Sequence, residues 1–243
     1  MKKILAITGI TGSGKTALSI EIAKKFNGEV VSCDSRQVYR FLDIGTAKIT
    51  EEEKQGIEHH MLDIVDPREN QHYDLHRFKI QAEKCIDEIL LRGKLPILVG
   101  GTGLYSRAVI QNYSFNGGKQ LPKYDCLQLC LVPPKEIIVP KIKERNQTRV
   151  ENGMFQETQR LLQMGVSKEF LHSLGLEYRL NIKYLEKQID IKDYMEKLFN
   201  ETMQFIKRQR TWYRKESPQQ TKYMLNNEVD EAVRYINHFL NRH

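Results

Sequence analysis

The chain has no apolar run approaching the roughly 18 residues that a membrane-spanning helix needs, which excludes a transmembrane protein of the helical kind. Lys2 and Lys3 precede only a short strand-like run, not the core of a secretion signal, so a soluble, cytoplasmic protein with no membrane contact is expected. Cysteine is scarce. A cytosolic compartment would keep Cys33, Cys85, Cys126 and Cys130 reduced, as packing residues. Cys126 and Cys130 have no second Cys or His pair nearby, which argues against a zinc site. Internal repeats and low-complexity segments are absent. Acidic excess is absent too: 38 Lys and Arg against 31 Asp and Glu leave a net charge of +7, compatible with a polyanionic partner without demanding one. What is present is 243 residues with 40% hydrophobic content, enough for one well-filled core or for a core plus a small appended layer.

Short apolar runs alternate with amphipathic segments over the first half. Strands are expected at 3–8, 29–32, 95–99 and 127–132, with helices at 15–26 and 74–91. This is the pattern of a parallel α/β sheet. Asp74 is an expected N-cap and Gly93 an expected stop for the longer helix. After Pro133 and Pro134 the pattern turns helical, with one region over 135–164 and further helices over 190–215 and 228–240. The loop 113–124, which contains Gly117, Gly118 and Pro122, is the expected hinge or linker. The expected division is an α/β core over 1–132 and a helical part over 133–243 that packs on it.

The stretch GITGSGKT, residues 9–16, satisfies G-x-x-x-x-G-K-[ST] between a strand and a helix, the context in which that motif is specific. Gly9, Thr11, Gly12, Ser13 and Gly14 would curl the backbone so that its amides converge on phosphate. Lys15 adds a point charge, and the Thr16 hydroxyl can ligate Mg2+. A P-loop hydrolase or kinase also needs a strand ending in an acid, and LPILVGGTG ends instead in Gly100 and Gly101. Asp34, just beyond the second strand, falls on the same carboxyl edge as the P-loop. It could be a metal ligand, a general base, or simply the cap of a following helix.

Residues 34–39 (DSRQVY), 43–48 (DIGTAK), 59–67 (HHMLDIVDP), 99–105 (VGGTGLY) and 207–215 (KRQRTWYRK) behind this P-loop resemble the tRNA dimethylallyltransferase family. The resemblance implies a P-loop NTPase-like sheet and Mg2+-dependent transfer of a five-carbon group from dimethylallyl diphosphate. The acceptor it implies is the exocyclic amine of an adenosine beside the tRNA anticodon. It implies Asp34 as the base, with Lys15 and Thr102 completing the catalytic set. It implies contact with substrate RNA for Asp34, Ser35, Arg36, Gln37, Thr102, Arg208, Gln209 and Trp212. Each has a plainer reading beside it: Thr102 could satisfy a backbone group in a glycine-rich turn, and Arg36 could be a solvated charge. His59 and His60 are adjacent and point to different sides, so a structural role is expected of them, as of Tyr39.

On a helix over 190–215, Lys207, Arg210 and Arg214 fall at i, i+3, i+7, and Arg208, Trp212 and Lys215 at i, i+4, i+7. Such a face suits phosphates and an unstacked base, although Trp212 could equally pack into the core.

The chain departs from the family in lacking a helical insertion, with its Q-R-x-x-R-A-L-E segment, between the sheet and the later helices. Three alternatives to weigh follow from that loss. One is a compact tRNA enzyme, expected to be a monomer, and another is a transferase acting on a free adenine nucleotide. The third is an RNA-binding paralogue without catalysis, and it fits poorly because Lys15, Thr16 and Asp34 are all kept. A tRNA dimethylallyltransferase is the expected function.

Overall fold

The computed structural model describes residues 1–115, 117, 120–216 and 220–242. Part of the expected hinge, residues 116, 118 and 119, lies outside the described residues. In chain order the elements are β1 (Lys3–Gly9), α1 (Lys15–Lys25), β2 (Gly28–Ser32), α2 (Glu51–Lys54), β3 (His59–His60), α3 (Leu75–Leu91), β4 (Leu95–Gly100) and α4 (Gly103–Ile110). There follow β5 (Asp125–Leu131), α5 (Lys135–Glu151), α6 (Met154–Gln163), α7 (Lys168–Ser173), α8 (Leu176–Leu185), α9 (Ile191–Glu216), β6 (Thr221–Met224) and α10 (Val229–Leu240).

The strands form one sheet in the order β3-β2-β4-β1-β5-β6, and every pairing is parallel. β1 is buried from Ile4 to Gly9, because a central parallel strand is covered on both faces. Its alternation sorts the core into two layers. Ile4 and Ala6 pack with Phe78, Ala82 and Ile86 of α3 and with Tyr105 and Val109 of α4. Leu5 and Ile7 pack with Leu18 and Ile22 of α1 and with Ile236 and Phe239 of α10. α3 begins where Asp74 accepts a hydrogen bond from the Arg77 amide at 2.8 Å.

The expected helical region over 135–164 consists of α5 and α6, separated at Asn152 and Gly153. The larger departure is β6, which sequence pattern did not predict. It adds to the sheet beside β5, pairing Thr221 with Gln128 and Met224 with Leu131. The part after residue 132 is therefore not helical alone: it supplies the sheet's last strand, and α10 covers α1.

The loop between β2 and α2 is held by one buried carboxylate. Glu157 of α6, fully buried, accepts hydrogen bonds from the successive amides of Asp43, Ile44 and Gly45 at 2.9, 2.6 and 3.0 Å and from the Tyr178 hydroxyl at 2.9 Å. Consecutive amides converging on an anion form a nest, here filled by a side chain of the protein itself. Glu157→Ala would strand these donors and is expected to cost about 3 kcal/mol or more, read as a lower midpoint in thermal unfolding. Glu157→Gln keeps one acceptor oxygen but turns an NH2 toward two of these donors, so it too is expected to lower the midpoint.

Candidate active site

Parallel pairing brings the carboxyl ends of β1, β2 and β4 to one edge of the sheet. At that edge Gly9 adopts a φ of 137°, and a Cβ there would lie 2.1 Å from the Leu131 carbonyl oxygen, so the turn into the P-loop needs glycine. Gly14 caps α1 without a side-chain hydrogen bond, leaving the first amides of the helix to face the loop. The Ser13 hydroxyl is buried and makes no hydrogen bond among the described residues. The Lys15 ammonium donates to the Ile10 carbonyl at 2.8 Å. Burial first, then repulsion from Arg145, pull its pKa down to about 8 against the attraction of Asp34.

Asp34 follows β2, and its side chain both caps a local turn and reaches the cavity. One carboxylate oxygen accepts from the amides of Arg36 and Gln37 at 2.9 and 3.4 Å, a local turn cap. The carboxylate nevertheless lines the same cavity as the P-loop. Thr102 is the N-cap position just before α4, and its hydroxyl accepts from the Ser35 amide at 3.1 Å and donates to the Ser35 hydroxyl at 3.4 Å. It fixes the residue beside Asp34 rather than satisfying its own turn. Gln37 donates to the carbonyls of Thr46 and Ala47 at 3.3 and 3.2 Å, which ties it to the loop that Glu157 holds.

Arg36 is not a solvated charge. Its guanidinium donates to Glu177 at 2.9 Å, and the other oxygen of that carboxylate takes Arg149 at 3.0 Å. Burial alone would raise the Glu177 pKa, but Arg149 and Arg36 outweigh it and hold the carboxyl below its ordinary range. Arg145, one turn before Arg149 on α5, lines the cavity and faces Asp34 and Lys15. Burial and the neighbouring Arg149 lower its pKa to about 10, and its buried Nε has no hydrogen-bond partner among the described residues. Neither Arg145 nor Arg149 belongs to a motif in the sequence. Their i, i+4 spacing, which places both on one helix face, was the available signal.

The cavity measures about 550 Å3, within the range of small-molecule sites. Thr11, Gly12, Ser13, Gly14, Lys15, Thr16, Asp34, Ser35, Arg36, Gln37, Thr102, Arg208, Gln209 and Trp212 all line it. Gly9 forms the bend behind it. His59 reaches the cavity wall, half-buried with Nδ1 2.8 Å from the Ile57 carbonyl, while His60 pairs with Glu29 at 2.7 Å on the other side of the strand. Tyr39 is buried, accepting from the Tyr73 amide and donating to the Gln71 carbonyl.

α9 borders the cavity. Lys207, Arg208, Thr211 and Lys215 are exposed and form a shallow groove with the half-buried Trp212, whose ring lies 5.7 Å from the Arg107 guanidinium. One expectation on this helix changes. Arg210 turns away from the cationic face and donates to the Pro133 carbonyl. Gln209 is buried, 6% exposed, and its amide oxygen and nitrogen each hold one bond to the protein while the side chain lines the cavity.

A phosphate cradle at the carboxyl edge of a parallel sheet, faced by a carboxylate from the neighbouring strand, defines the class: a P-loop α/β protein with group-transfer machinery. The IPP transferase family model matches residues 37–122 and 114–216, two pieces that meet between α4 and β5, and the isopentenyl transferase model matches residues 2–69. The tRNA dimethylallyltransferase of Acetivibrio thermocellus is 32% identical over 88% of this chain and 90% of its own length, and that of Streptococcus gordonii is 34% identical over 87% and 89%. The first alignment runs over 282 positions against 243 residues here, so the relative carries segments with no counterpart in this chain. Among solved structures, the tRNA isopentenylpyrophosphate transferases of Staphylococcus epidermidis and Bacillus halodurans superpose with TM-scores of 0.87 and 0.86 at 30% and 28% identity. They cover 98% and 99% of this chain and 100% and 96% of theirs. The chain belongs to the tRNA dimethylallyltransferase family.

The lowered pKa of Lys15 has a measurable consequence. An anion in the P-loop favours the ammonium and raises the pKa above about 8, so affinity is full below pH 8 and declines as the pH rises through that value. At pH 8.5, binding of inorganic diphosphate is expected to draw up to about three quarters of a proton onto Lys15. Calorimetry in buffers of different ionisation enthalpy measures this uptake, and Lys15→Arg, charged throughout, is expected to lose it.

Proposed function

We propose that this chain transfers the dimethylallyl group of dimethylallyl diphosphate to the exocyclic amine of the adenosine 3′ of the anticodon in tRNA, in the cytoplasm. The observation that carries this reading is the sharing of one cavity by the P-loop, with Lys15, and the Asp34 carboxylate. Breaking the allylic carbon–oxygen bond puts negative charge on the departing diphosphate. The loop amides, Lys15 and Arg145, which line the same cavity, stabilise that charge. As the carbon–nitrogen bond forms, Asp34 accepts the proton that the amine must lose. Thr102, through Ser35, holds that carboxylate in place.

Mg2+ fits the donor chemistry. The Thr16 hydroxyl is exposed on the cavity wall, a hard oxygen ligand of the kind Mg2+ takes together with phosphate and water oxygens. Bound there, the ion would neutralise diphosphate charge. The exposed cations of α9 beside Trp212 favour RNA over a free nucleotide as acceptor, since a nucleotide needs no such surface. Among the described residues no helix is long and apolar enough to cross a membrane.

Labelled dimethylallyl diphosphate offered with unmodified tRNA and with AMP in parallel is expected to label the tRNA alone, and label in AMP alone would overturn the reading. Asp34→Ala is expected to abolish transfer while inorganic diphosphate still binds. tRNA binding is expected to weaken steeply with salt, and Arg208→Ala to reduce the slope of log K against log salt by about 0.7, as measured by filter binding over a salt series.

A further inference from the structure

α9 carries its cations on one side and meets the site with the other. On that inner side Gln209 has its carbonyl oxygen 2.9 Å from the Thr11 amide of the P-loop and its amide nitrogen 3.1 Å from the Gly101 carbonyl after β4. The fit is close: a Cβ at Gly101 would stand 2.9 Å from that nitrogen. The next residue, Thr102, holds the Ser35 amide at 3.1 Å, and Ser35 follows Asp34. A continuous path of three hydrogen-bonded contacts therefore runs from the phosphate cradle through Gln209 and the glycine turn to the catalytic carboxylate.

We propose that Gln209 is a positioning residue that fixes the P-loop at a set separation from the Gly101–Thr102 turn, and so keeps the diphosphate in register with Asp34. The inference rests on the transferase reading above and assigns Gln209 a role other than RNA contact. The chemistry of the side chain supports it. Thr11 needs an acceptor and Gly101 needs a donor, and a primary amide offers both from one rigid plane. Glutamate offers only acceptors and would set an oxygen against the Gly101 carbonyl, and leucine offers neither. Both bonds are sheltered, since Gln209 is 6% exposed. A displacement of the cradle by an ångström would take the reacting carbon and nitrogen out of attack geometry, which lowers the rate at saturation rather than the affinity for the acceptor.

The test compares wild type, Gln209→Leu and Gln209→Glu in the full chain, with thermal unfolding as the control for folding. Gln209→Glu keeps the bond to Thr11 and serves if the leucine variant does not fold. Both variants are expected to lose at least about thirtyfold in single-turnover rate at saturating dimethylallyl diphosphate and tRNA. Inorganic diphosphate is expected to bind about tenfold more weakly to Gln209→Leu, and tRNA affinity to stay within about twofold of wild type. Weaker tRNA binding with an unchanged saturated rate would make Gln209 an RNA contact and overturn the proposal. So would unchanged rate and diphosphate affinity in both variants. If wild type transfers to neither tRNA nor AMP, the transferase reading fails. The hold of Gln209 on the cradle is then read by diphosphate affinity alone, and an unchanged value in Gln209→Leu overturns it.

Discussion

The register between β1, β4 and β2 is the constraint on which the site depends. Pairing Thr8 with Gly100 and Ser32 with Val99 delivers three loops to one edge within reach of a single ligand. A slip of one residue in any pair would turn its side chains to the opposite face, exchanging the α3 layer for the α1 layer of the core. The two-layer packing of Ile4 and Ala6 against Leu5 and Ile7 therefore guards the geometry of the cradle as well as the stability of the sheet.

The second organising feature is charge held before a ligand arrives. Lys15 and Arg145 both have their pKa lowered by burial, and each lies within the field of other cations, while Asp34 offsets them in part. Such a site favours a polyanion because binding relieves repulsion already present in the folded protein. Farther along the wall, Glu177 balances Arg36 and Arg149, so that those guanidiniums organise the rim. The division of labour among arginines follows from which of them have a carboxylate partner.

Where the sequence carried a strong period or a motif, the fold could be read from it. β1, α1, β2, α3, β4 and β5 announce themselves by apolar runs, a phosphate motif and a capped amphipathic helix. β6 could not be read that way. Of its four residues only Met224 is buried, and the strand exists because β5 offers it an edge. The P-loop, Asp34 and Thr102 were legible because their spacing is local to loops that follow strands. Arg145 was not, and Gln209 was named only for RNA contact, since a run of basic and polar residues on a helix does not say which side chain turns inward. Gln209 sits within the most basic stretch of the chain and yet faces away from solvent.

The position of β6 bears on how the molecule comes into being. The strand lies beyond α9 in the chain, while its neighbour β5 precedes α5. A nascent chain emerging from the ribosome can assemble β1 to β5 early, but the outer edge of β5 stays open until α5 through α9 have been made. Ring closure over so long a separation is slow. The helix α9, which completes the wall of the cavity, comes from the same late part of the chain, so the last edge of the sheet and the last wall of the site are supplied by the final segments to be made.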